Sequence, residues 1–107
     1  MDKKELINIF KVLSNETRLN ILLWLKDPQA NFPPQGEHVP DGTDLKGGVC
    51  GGSICDKAGI AQSTVSHYLD MMVKAGLLET ERYGKWTYFH RNEEAIAELT
   101  KYFDDEL

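Results

Sequence analysis

The strongest constraint on this fold lies between Ser53 and Ala75. Apolar residues recur in this stretch with the spacing of a helix, and Gly59-Ile60 interrupts them near the middle. A helical pattern broken in this way predicts a short helix, a tight turn and a longer second helix. The sequence therefore predicts a helix-turn-helix.

The second of these helices is predicted to have two unlike faces. Steps of about 100° per residue collect Val65, Tyr68, Leu69 and Met72 on one side, which we expect to face the core. The opposite face begins with hydroxyl, amide and imidazole side chains, carried by Gln62, Ser63, Thr64, Ser66 and His67. Such groups can donate and accept hydrogen bonds at base edges in a DNA major groove. We expect these five residues to read DNA; the alternative is an ordinary solvated helix face.

Two helices are predicted before this unit. The first runs from Lys3 to Val12, and Ser14 or Asn15 caps the second. Apolar residues from Leu19 to Leu25 point nearly all the way round the second helix, which we therefore expect to be buried on most sides. Arg18 is expected to form either a structural ion pair or a phosphate contact.

A long loop is predicted at about residues 27–52. Asp27-Pro28 ends the second helix, and the segment up to Gly52 is rich in proline and glycine and poor in large apolar residues. We expect about 25 residues without secondary structure, either a mobile segment or a functional insertion. His38 is expected to be solvated.

After the helix-turn-helix, residues 77–82 and 85–91 read as two strands joined by Tyr83-Gly84. A two-residue turn at this point would place Arg82 opposite Lys85, where like charges repel unless an anion lies beside them. A DNA phosphate would supply that anion, so we expect both residues to contact DNA. The alternative is that the two side chains splay apart into water.

The last helix is predicted to begin at an Asn92 cap. Its apolar stripe and that of the first helix lie at the two ends of a chain of only 107 residues, whose core is small. We therefore expect both stripes to form a dimer interface, made by Leu6, Phe10, Ile96, Leu99 and Phe103. The alternative is that both helices pack within their own subunit.

The order of these segments resembles the ArsR/SmtB family of bacterial and archaeal winged-helix repressors. The matching motifs are Leu-Ser-Asn-Glu-Thr-Arg-Leu-Asn-Ile-Leu, Ala-Gln-Ser-Thr-Val-Ser-His-Tyr-Leu, Ala-Gly-Leu-Leu and Gly-Lys-Trp-Thr-Tyr. The resemblance covers almost the whole chain apart from residues 27–49. It implies one mainly α domain with a β-hairpin wing, and a homodimer whose recognition helices enter successive major grooves of an imperfect inverted repeat in double-stranded DNA.

The net charge of −5 is unusual for a DNA-binding protein. Residues 92–107 hold one basic and six acidic residues, whereas residues 1–91 are neutral in sum, so the acidity belongs to the tail. An acidic tail would also suit a winged-helix module that binds other proteins, which is the alternative function. No apolar run reaches the roughly 18 residues of a membrane span, and no signal-peptide core is present. We expect a cytoplasmic protein without membrane contacts.

The sequence predicts neither a metal site nor a catalytic site. The arsenic site of the resembling family uses two cysteines one residue apart and a third nearby, whereas this chain has Cys50, Gly52 and Cys55. The family's zinc site draws histidine from the last helix, and residues 92–107 contain none. Cys55 and His67 lack a third orienting group for nucleophilic catalysis. We therefore expect no metal, no cofactor and no enzymatic activity.

Cys50 and Cys55 are candidates for a thiol sensor. Cys55 also fits a structural role as a small hydrophobe, while Cys50 lies among glycines where we expect it to be accessible. Gly51 and Gly52 would let the backbone bring the two sulfurs together. Our hypothesis is that oxidation, or capture of a thiophilic species such as arsenite with an outside third ligand, distorts the adjacent helix and releases DNA.

Overall fold

The computed structural model describes residues 1–107 as six helices and a three-stranded antiparallel sheet. In chain order the elements are α1 (Lys3–Leu13), α2 (Glu16–Lys26), α3 (Pro28–Asn31), β1 (Val49–Cys50), α4 (Gly51–Ala58), α5 (Gln62–Lys74), β2 (Leu78–Tyr83), β3 (Trp86–Arg91) and α6 (Glu93–Glu106). The sheet order is β1-β3-β2. The predicted winged helix-turn-helix fold is confirmed. None of the helices has the length and apolarity to cross a bilayer.

Side-chain caps fix the start of α2 and α6. The Asn15 Oδ1 atom accepts the backbone N–H of Arg18 at 3.0 Å, and Asn92 Oδ1 accepts that of Ala95 at 3.1 Å. A cap of this kind is worth about 1 kcal/mol, because it satisfies an N–H group that has no partner in the helix. Both predicted caps are confirmed, and Asn15 is the residue used in place of Ser14.

The helix-turn-helix packs around the predicted apolar face of α5. Val65, Leu69 and Met72 are buried, while Tyr68 is half-buried. Arg18 reaches across from α2, where its Nε donates to the Val12 carbonyl at 2.6 Å and its guanidinium lies 4.7 Å from the centre of the Tyr68 ring. Of the two contacts expected of Arg18, the ion pair is wrong, because its partners are a carbonyl and an aromatic ring. The phosphate contact stays a prediction.

One side of α2 is open. Ile21, Leu22 and Leu25 are buried, but Leu19 and Leu23 are 41% and 55% exposed. The expectation that α2 is buried on most sides is therefore wrong for this face. Apolar residues lie on opposite sides of α2, so the sequence alone does not show which side is covered by other parts of the chain.

The segment between α2 and α4 is structured at both ends, so the expectation that it has no secondary structure is wrong. Asp27 caps α3 by accepting the Ala30 N–H at 3.3 Å, and Pro28 occupies the first position of that helix. At the other end, β1 pairs with β3 through Val49 and Cys50. The first helix of the helix-turn-helix begins at Gly51, two residues earlier than predicted.

Residues 32–48, here called the cover loop, lie over the outer face of the wing. The His38 ring stacks on Trp86 with centroids 3.9 Å apart and planes 10° apart. Lys46 forms a 3.2 Å ion pair with Glu81 of β2. Tyr88, in the middle of β3, is only 1% exposed. His38 is exposed, as expected, although one face of its ring is covered by Trp86.

The turn of the hairpin lies one residue later than predicted. Tyr83 pairs with Trp86, and Arg82 pairs with Thr87, so the turn consists of Gly84 and Lys85. Gly84 has a φ of 59°, a conformation that costs other residues strain and that a type II′ turn requires at its first central position. The predicted like-charge pair of Arg82 and Lys85 on opposite strands is therefore wrong.

Candidate nucleic-acid interface

The N-terminal half of α5 presents a row of polar side chains. Gln62, Ser63, Ser66 and His67 are exposed, and Thr64 is half-buried. None of these five side chains forms a hydrogen bond within the chain. Ala61, which precedes the helix, provides no side-chain cap either, so the first N–H groups of α5 are also available. This end of the helix has hydrogen-bonding capacity that only an outside partner can use.

Arg82 and Lys85 lie at the tip of the wing, and both are exposed. Arg82 Nε donates to the Gly84 carbonyl at 2.9 Å, which holds the guanidinium against the turn. Lys85 Nζ lies 5.3 Å from the centre of the Trp86 ring. Neither cation has a carboxylate partner, so both charges are available to an anion.

Two acidic groups near this surface, Asp70 and Glu81, are paired. On the exposed face of α5, the Asp70 carboxylate accepts a 2.8 Å hydrogen bond from Lys74. This hydrogen bond, together with the negative charge of Asp70, raises the pKa of the Lys74 amine. The Glu81 carboxylate acts on Lys46 in the same way. Exposed pairs contribute little to stability, but they reduce the repulsion that free carboxylates would exert on a nucleic acid.

A cavity of about 590 Å³ separates α5 from the wing. Gln62 and Ser66 border it on the α5 side, and Lys85 borders it on the wing side. Both cysteines lie on its wall. Five of the predicted functional residues therefore border one cavity. This grouping depends on the angle between α5 and the wing, so it could not be predicted from the sequence.

The two thiols have different surroundings. Cys50 is the residue before α4, and its sulfur lies 3.2 Å from the Ser53 hydroxyl. The side chain of Gln35, from the cover loop, accepts the Cys50 N–H at 3.0 Å and donates to the Ser53 hydroxyl at 3.3 Å. Cys55 lies inside α4, and its sulfur donates to the Ile60 carbonyl at 3.8 Å. Sequence reasoning did not find Gln35, because nothing in a proline-rich loop marks this contact.

The expectation that Gly51 and Gly52 bring the two sulfurs together is wrong. Both glycines form the first turn of α4. A helix rises about 1.5 Å per residue, so the five steps from Cys50 to Cys55 separate their Cα atoms by at least about 7.5 Å. A disulfide needs Cα atoms within about 7 Å of each other. Both cysteines are free, and the chain has no group of three or more His, Cys, Asp or Glu residues placed to hold a metal ion.

The predicted dimer residues fall into two groups. Phe10 of α1 and Phe103 of α6 are 42% and 43% exposed, with ring centroids 5.9 Å apart. Leu6 is buried within the chain, and Ile96 and Leu99 are half-buried against its core. Ile7 of α1 lies outside the predicted stripe and is 47% exposed. We refer to Ile7, Phe10 and Phe103 as the terminal patch.

An exposed, unpaired helix face beside a β-hairpin with free cations is the arrangement of winged helix-turn-helix DNA-binding proteins. Three comparisons with known proteins identify the family within this class. The sequence model of the "bacterial regulatory protein, arsR family" matches residues 46–80. The uncharacterized HTH-type transcriptional regulator YbzH of Bacillus subtilis is 46% identical over 104 residues, which cover 96% of this chain and 99% of that protein.

A second relative is the arsenical resistance operon repressor of Escherichia coli, 26% identical over 92% of this chain and 69% of that protein. The solved homodimeric winged helix-turn-helix DNA-binding domain of a possible ArsR-family transcriptional regulator from Mycobacterium bovis has a TM-score of 0.64 and 23% identity. The match covers 94% of this chain and 76% of that one. This chain belongs to the ArsR family. It is a transcriptional regulator with a winged-helix DNA-binding fold, and the expectation that it is not an enzyme is confirmed by the family.

Proposed function

We propose that this regulator is a dimeric repressor that binds an imperfect inverted repeat in double-stranded DNA. The observation that carries this proposal is the N-terminal half of α5, where five polar side chains have no partner within the chain. Side chains of these types match the donors and acceptors that base pairs present in the major groove. A repressor that occupies its operator excludes other proteins from the same DNA, and the E. coli relative is named as the repressor of an operon.

The interface divides into base contacts and phosphate contacts. Gln62, Ser63, Thr64, Ser66 and His67 are assigned to base edges, because they lie at the end of the helix that would enter the groove. Arg82 and Lys85 are assigned to phosphates, because charged side chains at a wing tip carry no pattern of donors and acceptors that identifies a base. The free N–H groups at the start of α5 can also bind a phosphate.

The dimer would form through the terminal patch. Ile7, Phe10 and Phe103 are large apolar side chains that the chain itself leaves between 42% and 47% exposed. A twofold axis through this patch would relate two copies of α5. Two such helices read half-sites about 34–36 Å apart, which is one turn of DNA. The homodimeric M. bovis domain of similar fold supports a dimer.

A second candidate function is a winged-helix module that binds proteins. The specific observation in its favour is the acidic tail, since residues 92–107 carry the whole net charge of −5. The unpartnered side chains of α5 and the free wing cations favour DNA, because they match the base edges and phosphates of a duplex. The experiment below separates the two, since a protein-binding module has no preference among DNA sequences.

The test compares three variants on a preferred duplex and on unrelated duplexes. Ser63→Ala and His67→Ala should each lose about 1–3 kcal/mol on the preferred sequence and less on the others. Lys85→Ala should weaken binding to all sequences similarly and lower the salt slope by about 1. Lys26→Ala, at the exposed last turn of α2, is the control for a lost lysine. If Lys85→Ala changes the preference while Ser63→Ala and His67→Ala do not, the assignment of roles is wrong.

We propose further that the signal that releases DNA acts through thiol chemistry at Cys50, Cys55 or both. Both thiols border the cavity whose other walls include Gln62 and Ser66 of the reading helix. A chemical change at either sulfur would therefore act directly beside two residues assigned to base contacts. Replacing both cysteines should leave operator binding intact and abolish the response to thiol reagents in a band-shift titration.

A further inference from the structure

The geometry around the two cysteines excludes two of the common reactions of paired thiols in the folded chain. A disulfide between Cys50 and Cys55 would require the first turn of α4 to unwind, because five helical steps separate them. Capture of a metal ion by three residues of this chain has no ligand set. A reaction that needs one thiol and space beside it is compatible with the fold as it stands.

Cys50 is the better placed of the two thiols for such a reaction. The Ser53 hydroxyl accepts a hydrogen from the Gln35 amide at 3.3 Å, which leaves its own hydrogen free to point at the Cys50 sulfur 3.2 Å away. Either group can donate in this contact, and once Cys50 is deprotonated only the Ser53 hydroxyl can donate. The Cys55 sulfur donates to the Ile60 carbonyl and packs against the core, so its polar neighbour is an acceptor.

The cavity next to Cys50 can hold a small organic molecule. Its volume of about 590 Å³ lies within the roughly 300–1,000 Å³ of typical ligand sites. Gly52 lines it, and a Cβ atom added at Gly52 would meet nothing within 4 Å, so the space beside the first turn of α4 is open. Across the cavity, Lys85 offers an ammonium that can bind a carbonyl oxygen, and Trp86 offers an apolar edge.

We propose that Cys50 is a covalent modification site for small α,β-unsaturated carbonyl compounds, and that the adduct occupies the cavity between α5 and the wing. This inference rests on the proposed DNA-binding function and specifies the chemistry of its signal. In the reaction the deprotonated Cys50 sulfur bonds to the β-carbon of the compound. The electron pair of the C=C bond shifts towards the carbonyl oxygen, and the α-carbon then takes a proton from water. The reaction needs no oxidant.

The adduct would interfere with DNA directly. Gln62 and Ser66 border the same cavity, so a group attached to Cys50 lies against the side chains assigned to base contacts. It also fills the space that separates α5 from Lys85. One adduct would therefore obstruct a base-reading helix and shift a phosphate contact at the same time, without unfolding the domain.

The test uses N-ethylmaleimide, an unsaturated imide with no oxidising power, on the full chain. Wild type, Cys50→Ser and Cys55→Ala are each treated with one equivalent, the modified residue is located by peptide mass spectrometry, and affinity for the preferred duplex is measured. Serine is a favoured residue before a helix, so Cys50→Ser should fold. Circular dichroism of each product controls for unfolding, and diamide treatment provides an oxidation arm.

We expect modification of Cys50 first and a loss of DNA affinity of at least about tenfold in wild type and in Cys55→Ala, equal to about 1.4 kcal/mol. Cys50→Ser should keep its affinity under the same treatment. A folded Cys50 adduct that binds DNA as tightly as untreated protein would overturn the inference. So would exclusive modification of Cys55, an unfolded adduct, or a Cys50–Cys55 disulfide in diamide that alone releases DNA. Untreated protein without any sequence preference would instead contradict the proposed function.

Discussion

Replacing Phe103 by alanine should weaken the proposed dimer strongly. Phe103 is 43% exposed in the single chain, and an aromatic side chain buries about 200 Å² when fully covered, so a partner could cover roughly 90 Å² more of it. At about 25 cal/mol per Å², this burial is worth about 2 kcal/mol. A twofold axis places the same residue in the interface twice, which raises the loss to about 4 kcal/mol, or about a thousandfold in the dimer dissociation constant.

Alanine is the informative substitution because it keeps α6 helical and removes only the ring. Leu99 is a poorer site for this test, because it packs against the core of its own chain and its loss would disturb folding. Ile60→Ala is the matched control. Ile60 is a large apolar residue that is 40% exposed, but it lies in the turn between α4 and α5, away from the terminal patch.

Sedimentation equilibrium over a range of protein concentrations measures the dissociation constant of each variant. Phe103→Ala should be monomeric at concentrations where wild type and Ile60→Ala are dimeric, and its operator affinity should fall as well, because one subunit binds one half-site. A Phe103→Ala variant with the dissociation constant of wild type would refute the assignment of the interface to the terminal patch. Equal weakening by Ile60→Ala would refute it too.

Three further predictions concern the fold that supports the interface. His38→Ala removes the ring stacked on Trp86 and should lower the free energy of unfolding in urea by about 0.5–1.5 kcal/mol. Arg18→Met removes the bond to the Val12 carbonyl and should lower it by about 1–3 kcal/mol. Burial raises the pKa of the Tyr88 hydroxyl above its ordinary value of about 10. The folded chain therefore holds this proton more tightly than the unfolded chain, so stability should fall as the pH rises above about 10. Tyr88→Phe should reduce that slope, measured from urea midpoints.

The long helices and the reading face of α5 could be predicted because they depend on local information. The spacing of Val65, Leu69 and Met72 defines a buried side whatever surrounds it. Polar caps such as Asn92 mark a helix start by satisfying N–H groups within the same turn. The exposure of residues opposite the buried side then follows from helix geometry.

Two errors came from local signals that have more than one meaning. Asp27-Pro28 ends α2, but an aspartate before a proline also begins a helix, and it starts α3. Gly84 was assigned to the second position of the hairpin turn, whereas a glycine before a non-glycine residue fits the first position of a type II′ turn. The one-residue difference moved Lys85 from a strand into the turn and removed its expected pairing with Arg82.

The remaining features depend on contacts between distant segments. β1 has two residues, too few for a periodic pattern, and it forms because Val49 and Cys50 meet β3. The stack of His38 on Trp86 joins residues 48 positions apart in the sequence. The cavity beside Cys50 depends on how the wing packs against α5. No pattern in the sequence encodes these distances.

The central claim is that the reading face of α5 and the wing recognise a specific DNA sequence. Its most direct test is selection of bound duplexes from randomised DNA with the purified, reduced protein, followed by footprinting of the selected sites. We predict an imperfect inverted repeat with half-sites about one helical turn apart, protected in two adjacent major grooves. A selected pool with no shared sequence, at a salt concentration where wild type still binds DNA, would contradict the claim.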